Sequence, residues 1–400
     1  MRKLLLAVLV VLAVCAPAFP AGEVIFNNVE GMAVDQPRVA VEVYTLNPEH
    51  SLGPDISNFW LLDTGAQGIL AAGSAVEEMS AAGYTTVNQF AELGAGGSTY
   101  YDVSALYQFD FAGTSGQRNA LGDTRLLSSE TANFGGFGGI VGMPAMVNRV
   151  TTLDMTAMVN PSLEMPYMGV AFDQSLPDGD AHRYNVPITL WDHPVSAGQI
   201  NPGDELPTYA PIPFVDVTAR NDGNNAGGSY ILDTGAQMSM ISTETALALG
   251  CDTNNNGVLD DDEILGQTAI SGAGGTVYVP IVAVDQLRLT TVEGVDIVFE
   301  NLGLLVLDIH PEIDGIFGSD LLTAGYLEGA FNTLMGLPGE KGFLDAVHFD
   351  FLNSSSGTGM MVLDINSAYD VVVPEPTTMA MLGFSIAFAF CRRLPARRRQ

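Results

Sequence analysis

Two aspartates in identical surroundings are the residues of this sequence best suited to chemistry. Leu62–Gln67 has the sequence Leu-Asp-Thr-Gly-Ala-Gln, and the same six residues return as Leu232–Gln237. One Asp-Thr-Gly alone is weak evidence, because an aspartate that ends a strand often only caps a turn. Two copies carry more weight. If Asp63 and Asp233 meet, like charges about 3 Å apart cannot both ionise, so the pair retains one proton and supplies both a general base and a hydrogen-bond donor.

Further landmarks accompany each aspartate in the same order. A glycine-rich segment follows each motif, at Gly94–Tyr100 and Gly272–Tyr278. An apolar-apolar-glycine triplet comes next, at Ile140–Gly142 and Ile316–Gly318. A strand-like apolar run precedes each motif and must position the aspartate that ends it. Landmarks in matching order indicate an internal duplication, in which each half positions one carboxyl group.

This pattern resembles the aspartic proteases in each half, over residues 36 to 330. The alanine after Asp-Thr-Gly and the glycine-rich flap in both halves are more similar to the retropepsins than to the pepsins. The resemblance implies an all-β, bilobal fold of the pepsin and retropepsin type with pseudo-two-fold symmetry, as if a retropepsin dimer were fused into one monomeric chain. It also implies that Asp63 and Asp233 are a catalytic dyad, which activates water against a peptide bond without a cofactor.

The residues beside the aspartates have mechanical roles in this interpretation. Gly65 and Gly235 permit two loops to approach closely, where a Cβ would obstruct the contact. By the resemblance, Thr64 and Thr234 hydrogen-bond across the interface between the halves. The alanine after each glycine offers no hydroxyl to the carboxylates, so their charged forms have one stabilising hydrogen bond fewer. We therefore expect a mildly acidic pH optimum rather than a strongly acidic one.

The glycine-rich segments are expected to form flaps, which are hairpins that close over a substrate and exclude water. Ordinary hairpin loops are the alternative. The tyrosine that ends each segment either hydrogen-bonds near the site or is a plain strand residue. The candidate flap residues are Gly96, Gly97, Tyr100, Gly274, Gly275 and Tyr278.

An insert in the second half, residues 252–263, matches the calcium-binding loop of an EF-hand position by position. Gly257 would make the sharp turn, and three carboxylates would neutralise a hard dication that takes oxygen ligands. We expect Ca²⁺ here, stiffening the base of the second flap, with a solvated acidic turn as the alternative. Because Gly266 interrupts the chain soon after the loop, a full pair of flanking helices is not expected. The candidate ligands are Asp252, Asn254, Asn256, the Val258 carbonyl, Asp260 and Glu263.

The amino-acid composition excludes some classes of protein and favours others. The 400 residues carry 46 acidic and 15 basic side chains, a formal charge of -31, which would repel phosphate backbones and argues against a nucleic-acid partner. The 44 glycines suit strands joined by tight turns, in agreement with an all-β fold. The five histidines show no paired spacing for zinc. Cys251 is the one cysteine between the two apolar ends, so we expect no internal disulfide.

Residues 1–21 are predicted to be a secretory signal, with two basic residues, an apolar run from Leu4 to Val14 and small residues near Ala18. A signal peptidase would remove this segment. A lipoprotein with lipid on Cys15 is one alternative. An uncleaved anchor is another, although the apolar run is shorter than the roughly 20 residues that span a bilayer.

The C-terminal segment resembles the PEP-CTERM sorting signal of Gram-negative bacteria. Val373–Pro376 is followed by an apolar stretch, Met379–Cys391, and then by an arginine-rich end. Arginines beside a short apolar helix hold that end in the cytoplasm, so the body faces outward. The resemblance implies transient inner-membrane anchoring by a transmembrane helix, cleavage by an exosortase-type enzyme, and release to the cell surface, the extracellular matrix or the medium. An ordinary tail anchor is the alternative.

These landmarks predict the domain organisation. The signal peptide (1–21) precedes a first protease lobe (22–190), a linker rich in proline, glycine and polar residues (191–213), a second protease lobe (214–370) and the sorting segment (371–400).

The sequence therefore predicts a secreted aspartic endopeptidase that cleaves extended peptides, whose amides pair with the protein backbone. The alternative is a non-catalytic surface or matrix protein that uses the same fold to bind peptide or polysaccharide. The sorting segment supports this alternative, whereas the presence of both aspartates opposes it. A protease that acts only on itself or on one partner is a narrower version of the first hypothesis.

Overall fold

The computed structural model describes residues 22–27, 29, 32–33, 35–46, 49–94, 97–156, 167–179, 182–272, 275–326, 342–369 and 371. The predicted signal peptide, the apolar helix and arginine tail of the predicted sorting segment, and the candidate flap residues Gly96 and Gly274 lie outside this part of the chain. No helix within the described ranges is long and apolar enough to cross a membrane.

Strands dominate the described residues, and helices are short. The strands up to the predicted linker are β1 (Gly22–Phe26), β2 (Arg38–Tyr44), β3 (Ser51–Gly53), β4 (Phe59–Leu62), β5 (Ile69–Ala71), β6 (Thr86–Gly94), β7 (Gly97–Ser104), β8 (Tyr107–Ala112), β9 (Arg118–Thr124), β10 (Leu127–Ser128), β11 (Gly139–Val141), β12 (Val150–Asp154), β13 (Gly169–Asp173) and β14 (Arg183–Trp191). The later strands are β15 (Ile212–Asn221), β16 (Asn224–Asp233), β17 (Met240–Ile241), β18 (Gly266–Gly272), β19 (Gly275–Thr290), β20 (Val295–Val306), β21 (Gly315–Gly318), β22 (Leu344–Asp350) and β23 (Thr358–Ile365). The α-helices are α1 (Gly73–Ala81), α2 (Thr243–Ala248) and α3 (Ser319–Leu322).

The strands follow from alternation of apolar and polar residues. In β2 the valines at 39, 41 and 43 are buried while the residues between them are half-buried, as a period of two requires when one face covers a core. β15 repeats this pattern before the second aspartate, with Val215 and Val217 inside and Asp216 outside. Both runs lie where the sequence predicts strands.

Two sheets contain these strands. Among the described strands, ten form the first sheet, in the order β6-β7-β10-β5-β11-β4-β2-β8-β9, with β3 beside β2. Thirteen form the second, in the order β13-β12-β22-β23-β14-β15-β16-β21-β17-β20-β19-β18, with β1 beside β20. The protein is all-β and bilobal, as the sequence predicts.

The second sheet joins the two halves of the chain. Strand β12 comes before the predicted linker yet pairs with β22, and β14 pairs with β23 and β15. β13 extends this sheet by pairing with β12. β1 likewise pairs in parallel with β20. The first half of the chain therefore contributes to both sheets, and the domain boundaries given above stay a prediction.

The duplication is visible as a three-strand unit in each sheet. β11 lies between β4, which it meets in parallel, and β5, which it meets antiparallel. β21 lies in the same way between β16 and β17. In both units the central strand carries the apolar-apolar-glycine triplet and the parallel neighbour leads into an Asp-Thr-Gly. The same local architecture therefore positions each aspartate.

A continuous apolar core supports both units. Its largest fully buried side chains include Trp60 and Phe109 in the first sheet and Tyr230 and Phe317 in the second. Trp60 and Phe317 belong to the strands that flank the two aspartates, so the aspartate loops rest on rigid, fully packed strands.

Candidate active site

Each aspartate lies at the end of a strand beside its triplet. The Asp63 N–H donates to the Val141 carbonyl at 3.0 Å, directly after β4. Asp233 ends β16 opposite Gly318 of β21. After each triplet the chain returns to the aspartate loop of the same half. The N–H of the residue that follows the triplet donates to the carbonyl of the alanine that follows Asp-Thr-Gly. The distance is 2.9 Å in the first half and 2.8 Å in the second. The contacts of each triplet therefore hold the aspartate loop of its own half.

The two aspartate loops are joined by four reciprocal hydrogen bonds. The Thr64 hydroxyl donates to the Leu232 carbonyl at 2.6 Å and accepts from the Thr234 N–H at 3.0 Å. The Thr234 hydroxyl donates to the Leu62 carbonyl at 2.7 Å and accepts from the Thr64 N–H at 3.1 Å. Both threonines are fully buried. This exchange relates the halves by a pseudo-two-fold axis and fixes the loops relative to one another.

The glycines of the motif show how closely the halves approach. A Cβ added to Gly65 would lie 2.6 Å from the Asp233 carboxyl carbon, and one added to Gly235 would lie 2.5 Å from that of Asp63. Such separations are too short for non-bonded carbon atoms, so only glycine fits. Each carboxyl group therefore faces the opposite loop, and the structure brings both aspartates together at the seam.

Electrostatics of the pair favour a shared proton. Burial raises the pKa of Asp63 well above its usual range, and the charge of Asp233 and a hydrogen bond to it raise that pKa further. Burial also raises the pKa of Asp233, although hydrogen bonds from Asp63 and from the N–H groups of Gly235 and Ala236 oppose this rise. At a pH at which an exposed aspartate is ionised, the pair still holds a proton.

Backbone donors hold both carboxyl groups in position. Oδ1 of Asp63 accepts from the Gly65 N–H at 2.7 Å. Oδ1 of Asp233 accepts from the Gly235 N–H at 2.8 Å and from the Ala236 N–H at 2.9 Å. One oxygen of each carboxyl group is thereby engaged by its own loop, which orients the group toward the seam.

The glutamine that ends each repeated motif has a structural role that the sequence analysis did not assign. The Gln237 carbonyl accepts from the Ala33 N–H at 2.8 Å, and the Gln67 carbonyl accepts from the Ala210 N–H at 2.9 Å. The segment before β2 therefore crosses to the second aspartate loop, and the segment before β15 crosses to the first. The recurrence of this glutamine in both copies is the sequence feature that could have indicated its structural role.

Both glycine-rich segments form antiparallel hairpins. β6 pairs with β7 as far as Gly94 and Gly97, and β18 pairs with β19 as far as Gly272 and Gly275. The side chains of Tyr100 and Tyr278 are 65% and 78% exposed. Hairpins therefore stand where flaps are predicted, whereas closure over a substrate stays a prediction.

A second apolar cluster lies beneath the first hairpin, separate from the main core. The partly buried Ala66, three residues after Asp63, packs against it. The cluster joins the hairpin to the strands that carry the first aspartate and thus forms an apolar wall beside the site. We call it the flap cluster, and its buried residues are Leu61, Leu70, Phe90, Tyr101, Val103, Leu127, Ile140 and Val195.

The predicted linker fastens the first hairpin. Gln199 forms an antiparallel bridge with Phe90 of β6. The Asn88 side chain donates to the Glu205 carbonyl at 3.0 Å and accepts from the Glu205 N–H at 3.0 Å. Val195 belongs to the flap cluster. Sequence analysis missed these contacts because backbone and amide groups make most of them, and such groups leave no periodic pattern.

The predicted calcium loop, residues 252–263, folds back on itself. The Glu263 carboxylate accepts from the backbone N–H groups of Asp260 at 3.0 Å and Thr253 at 2.7 Å. The backbone hydrogen bond from Asp260, followed by those from Thr253, lowers the pKa of Glu263 to about 2. Helix α2 precedes the loop and strand β18 follows it, so the flanking pair of helices is missing as expected. The remaining candidate ligands lie along the same loop, at Asp252, Asn254, Asn256 and Val258.

Within the described ranges, no group of three or more His, Cys, Asp or Glu side chains is arranged to hold a metal ion. The loop carboxylates instead accept hydrogen bonds from the loop itself. Ca²⁺ at this loop stays a prediction, and the dyad needs no metal for the chemistry that its geometry allows.

Comparison with known families supports the resemblance stated above. Residues 217–321 match the aspartyl protease family model, and residues 372–398 match the PEP-CTERM protein-sorting motif. The first match includes Asp233, whereas Asp63 lies in the half of the chain outside it. The second match covers the segment that the sequence analysis assigns to sorting.

Solved structures similar to this chain include the aspartic proteinase from Irpex lacteus, at 11% identity over 83% of this chain and 97% of that chain, with a TM-score of 0.42. They also include Basic 7S globulin from soybean, at 9% identity over 82% of this chain and 94% of that chain, with a TM-score of 0.38. The comparison with curated proteins found no match.

The threonine exchange leads to a stability prediction. Thr64→Val removes a buried hydroxyl, which leaves the Leu232 carbonyl and the Thr234 N–H without their partner. We expect the free energy of unfolding to fall by about 2–4 kcal/mol, measured by denaturant unfolding followed by tryptophan fluorescence. Thr64→Ser keeps the hydroxyl and should cost much less. Little loss in Thr64→Val, together with a larger loss in Thr64→Ser, would show that methyl packing, not hydrogen bonding, joins the loops.

Proposed function

We propose that this protein is an exported aspartic endopeptidase in which Asp63 and Asp233 activate a water molecule against a peptide bond. The observation that carries the proposal is the seam itself, where each carboxyl group faces the glycine of the opposite loop and burial raises both pKa values. A structural pair of acidic residues would gain nothing from this arrangement, because two like charges at close range destabilise one another.

The reaction proceeds by proton transfer within the pair. The ionised carboxylate takes a proton from water, and the water oxygen attacks the carbonyl carbon of the substrate. The protonated partner gives its proton to the carbonyl oxygen, so a neutral tetrahedral diol forms. The carboxyl group that took the proton from water now gives it to the amide nitrogen, while the other carboxylate takes a proton from one hydroxyl of the diol. The carbon–nitrogen bond breaks, and a carboxyl group and an amine are released. The pair again holds one proton, and no bond to the enzyme has formed.

The substrate is an extended peptide. A chain that lies between the hairpins and the aspartate loops satisfies its own amides by pairing with protein backbone, as an added strand does. Side-chain recognition then falls to alternate residues of the peptide. The strongly acidic composition disfavours acidic peptides by long-range repulsion.

The export route follows from the ends of the chain. Signal peptidase removes residues 1–21, and the apolar stretch at 379–391 anchors the protein transiently in the inner membrane. An exosortase-type enzyme then cleaves near Pro374 and releases the body to the cell surface or matrix. The match of residues 372–398 to the sorting motif supports this route.

Hydrolysis of denatured casein tests the proposal. The wild-type protein should cleave it and be blocked by a pepstatin-type inhibitor, while Asp63→Asn and Asp233→Asn should each lose at least about 10³-fold in kcat/KM, because either change removes the base or the donor. Asp216→Asn, which removes an exposed carboxylate on β15, is the matched control and should retain activity.

If the wild type is inactive and both Asp→Asn variants bind peptide as the wild type does, the protein is a non-catalytic peptide-binding protein and not a protease. Cleavage that survives either dyad substitution would show that another group is the base.

The pH profile of kcat/KM gives a second test. Activity needs one proton on the pair, so it falls at low pH when the second carboxylate is protonated and at high pH when the shared proton is lost. Burial raises both pKa values, and the charge of Asp233 raises that of Asp63 further, which moves both limbs to higher pH. We expect a mildly acidic maximum. A maximum near about pH 2, as for a pair with a strongly lowered first pKa, would contradict this.

Ca²⁺ at residues 252–263 is proposed as a stabiliser and not as a catalytic group. The spacing of oxygen-bearing side chains and the sharp turn at Gly257 support it. Saturating Ca²⁺ at about 100 times its dissociation constant should add about 2.7 kcal/mol to the free energy of unfolding, measured against EDTA. Glu263→Gln should abolish the increment. Identical unfolding curves with Ca²⁺ and EDTA would leave the loop as a solvated acidic turn.

A further inference from the structure

The first hairpin has an inner face that can be identified from its pairing. Phe90 of β6 lies opposite Tyr101 of β7, and both side chains are buried in the flap cluster. Glu92 lies two residues beyond Phe90 and is paired with Thr99. Because side chains alternate along a strand, Glu92 shares the face of Phe90 and Tyr101. Its side chain is therefore on the inner face, two residue pairs closer to the end of the hairpin.

The surroundings of the Glu92 carboxyl group are known for the described part of the chain. It is half-buried, and none of the described residues gives it a hydrogen bond or an ion pair. Burial alone raises the pKa of Glu92 to about 7. A carboxyl group that is shielded from water and unpaired is costly for a fold, unless a ligand supplies the missing charge.

The second hairpin differs at the equivalent position. Both hairpins end in a glycine pair, and Glu92 lies two residues before the glycine that ends β6. The residue two before the glycine that ends β18 is Ile270, which pairs with Val277 of β19. Both are partly buried and pack against the main core. The two inner faces are thus chemically unequal, one carrying a carboxyl group and the other apolar side chains.

The first hairpin is also the one that the linker holds. The Phe90–Gln199 bridge and the paired hydrogen bonds between Asn88 and Glu205 lie on the same strand as Glu92. The linker also contacts the first aspartate loop. Glu92 therefore lies on a strand that the linker connects to the first aspartate loop, rather than on a free loop.

We propose that Glu92 is a specificity-determining residue, which binds a lysine or arginine side chain of the peptide held beneath the first hairpin. This inference rests on the proposed function. A basic side chain in an extended peptide reaches the inner face from alternate positions. Its positive charge lowers the raised pKa of the Glu92 carboxyl group, so the group ionises on binding and pairs with the cation. The net charge of -31 draws basic peptides toward the protein from solution.

Matched peptides test this inference. Peptides of one sequence carry either lysine or its uncharged analogue norleucine at each position around the cleaved bond. For the wild type, kcat/KM should favour lysine by at least about tenfold at one position beneath the first hairpin. In Glu92→Gln the ratio at that position should fall to near one, and in Glu92→Lys it should favour glutamate.

The control is Asp102→Asn, which removes a carboxylate from the opposite, outer face of the same hairpin, where Asp102 accepts from Gln89 at 3.2 Å. It should keep the lysine preference. Equal selectivity in wild type and Glu92→Gln, or an equal loss in Asp102→Asn, would overturn the inference.

A binding measurement separates this inference from the proposed chemistry. The same peptides are titrated by calorimetry into Asp63→Asn and into Asp63→Asn combined with Glu92→Gln. A lysine preference that disappears with Glu92 supports the inference even if the wild type cleaves nothing. Cleavage with no charge preference overturns the inference alone, and the absence of both cleavage and peptide binding overturns both proposals.

Discussion

The structure depends on bringing two like charges to one place. If both were ionised, Asp63 and Asp233 would repel one another. The repulsion is relieved when the pair keeps a proton, and the backbone must hold the two loops together. Four hydrogen bonds between Thr64, Thr234 and the carbonyls of the preceding leucines provide this restraint in a fully buried setting. The central strands β11 and β21 support the two loops, and the glycines that leave no room for a Cβ allow the loops to approach closely.

Duplication supplies the symmetric part of this arrangement, and fusion into one chain allows the rest to diverge. The motifs, the three-strand units and the crossing segments at Ala33 and Ala210 recur in both halves. The surroundings do not. The linker contacts the first hairpin, residues 252–263 precede the second, and the position of Glu92 in the first hairpin is occupied by Ile270 in the second. A symmetric dimer of identical chains could not present different inner faces to the two ends of a peptide.

The sequence predicts the symmetric part well, because that part is carried by repeated residue types. Two Asp-Thr-Gly-Ala-Gln copies, two triplets and two glycine-rich turns were enough to give the all-β fold and to place the aspartates together. The contacts of the linker could not be predicted, since Gln199 and Glu205 act mainly through backbone groups and follow no period. The pairing of β1, β12 and β14 with strands of the second half could not be predicted either, because pairing between strands far apart in the chain has no local sequence pattern. Glu92 was overlooked because one glutamate on a strand is ordinary until its neighbours identify its face.

Titration of the two carboxyl groups tests the central claim most directly. Carbon-13 labelling of aspartate allows the side-chain carboxyl shifts of Asp63 and Asp233 to be followed with pH, and each is assigned by its loss in the Asp→Asn variant. A shared proton predicts two separate steps, with one proton retained well above the pH at which exposed aspartates ionise, and a shift at one site whenever the other is substituted. Two independent titrations near the ordinary value of about 3.9 would contradict the shared proton and, with it, the hydrolytic mechanism.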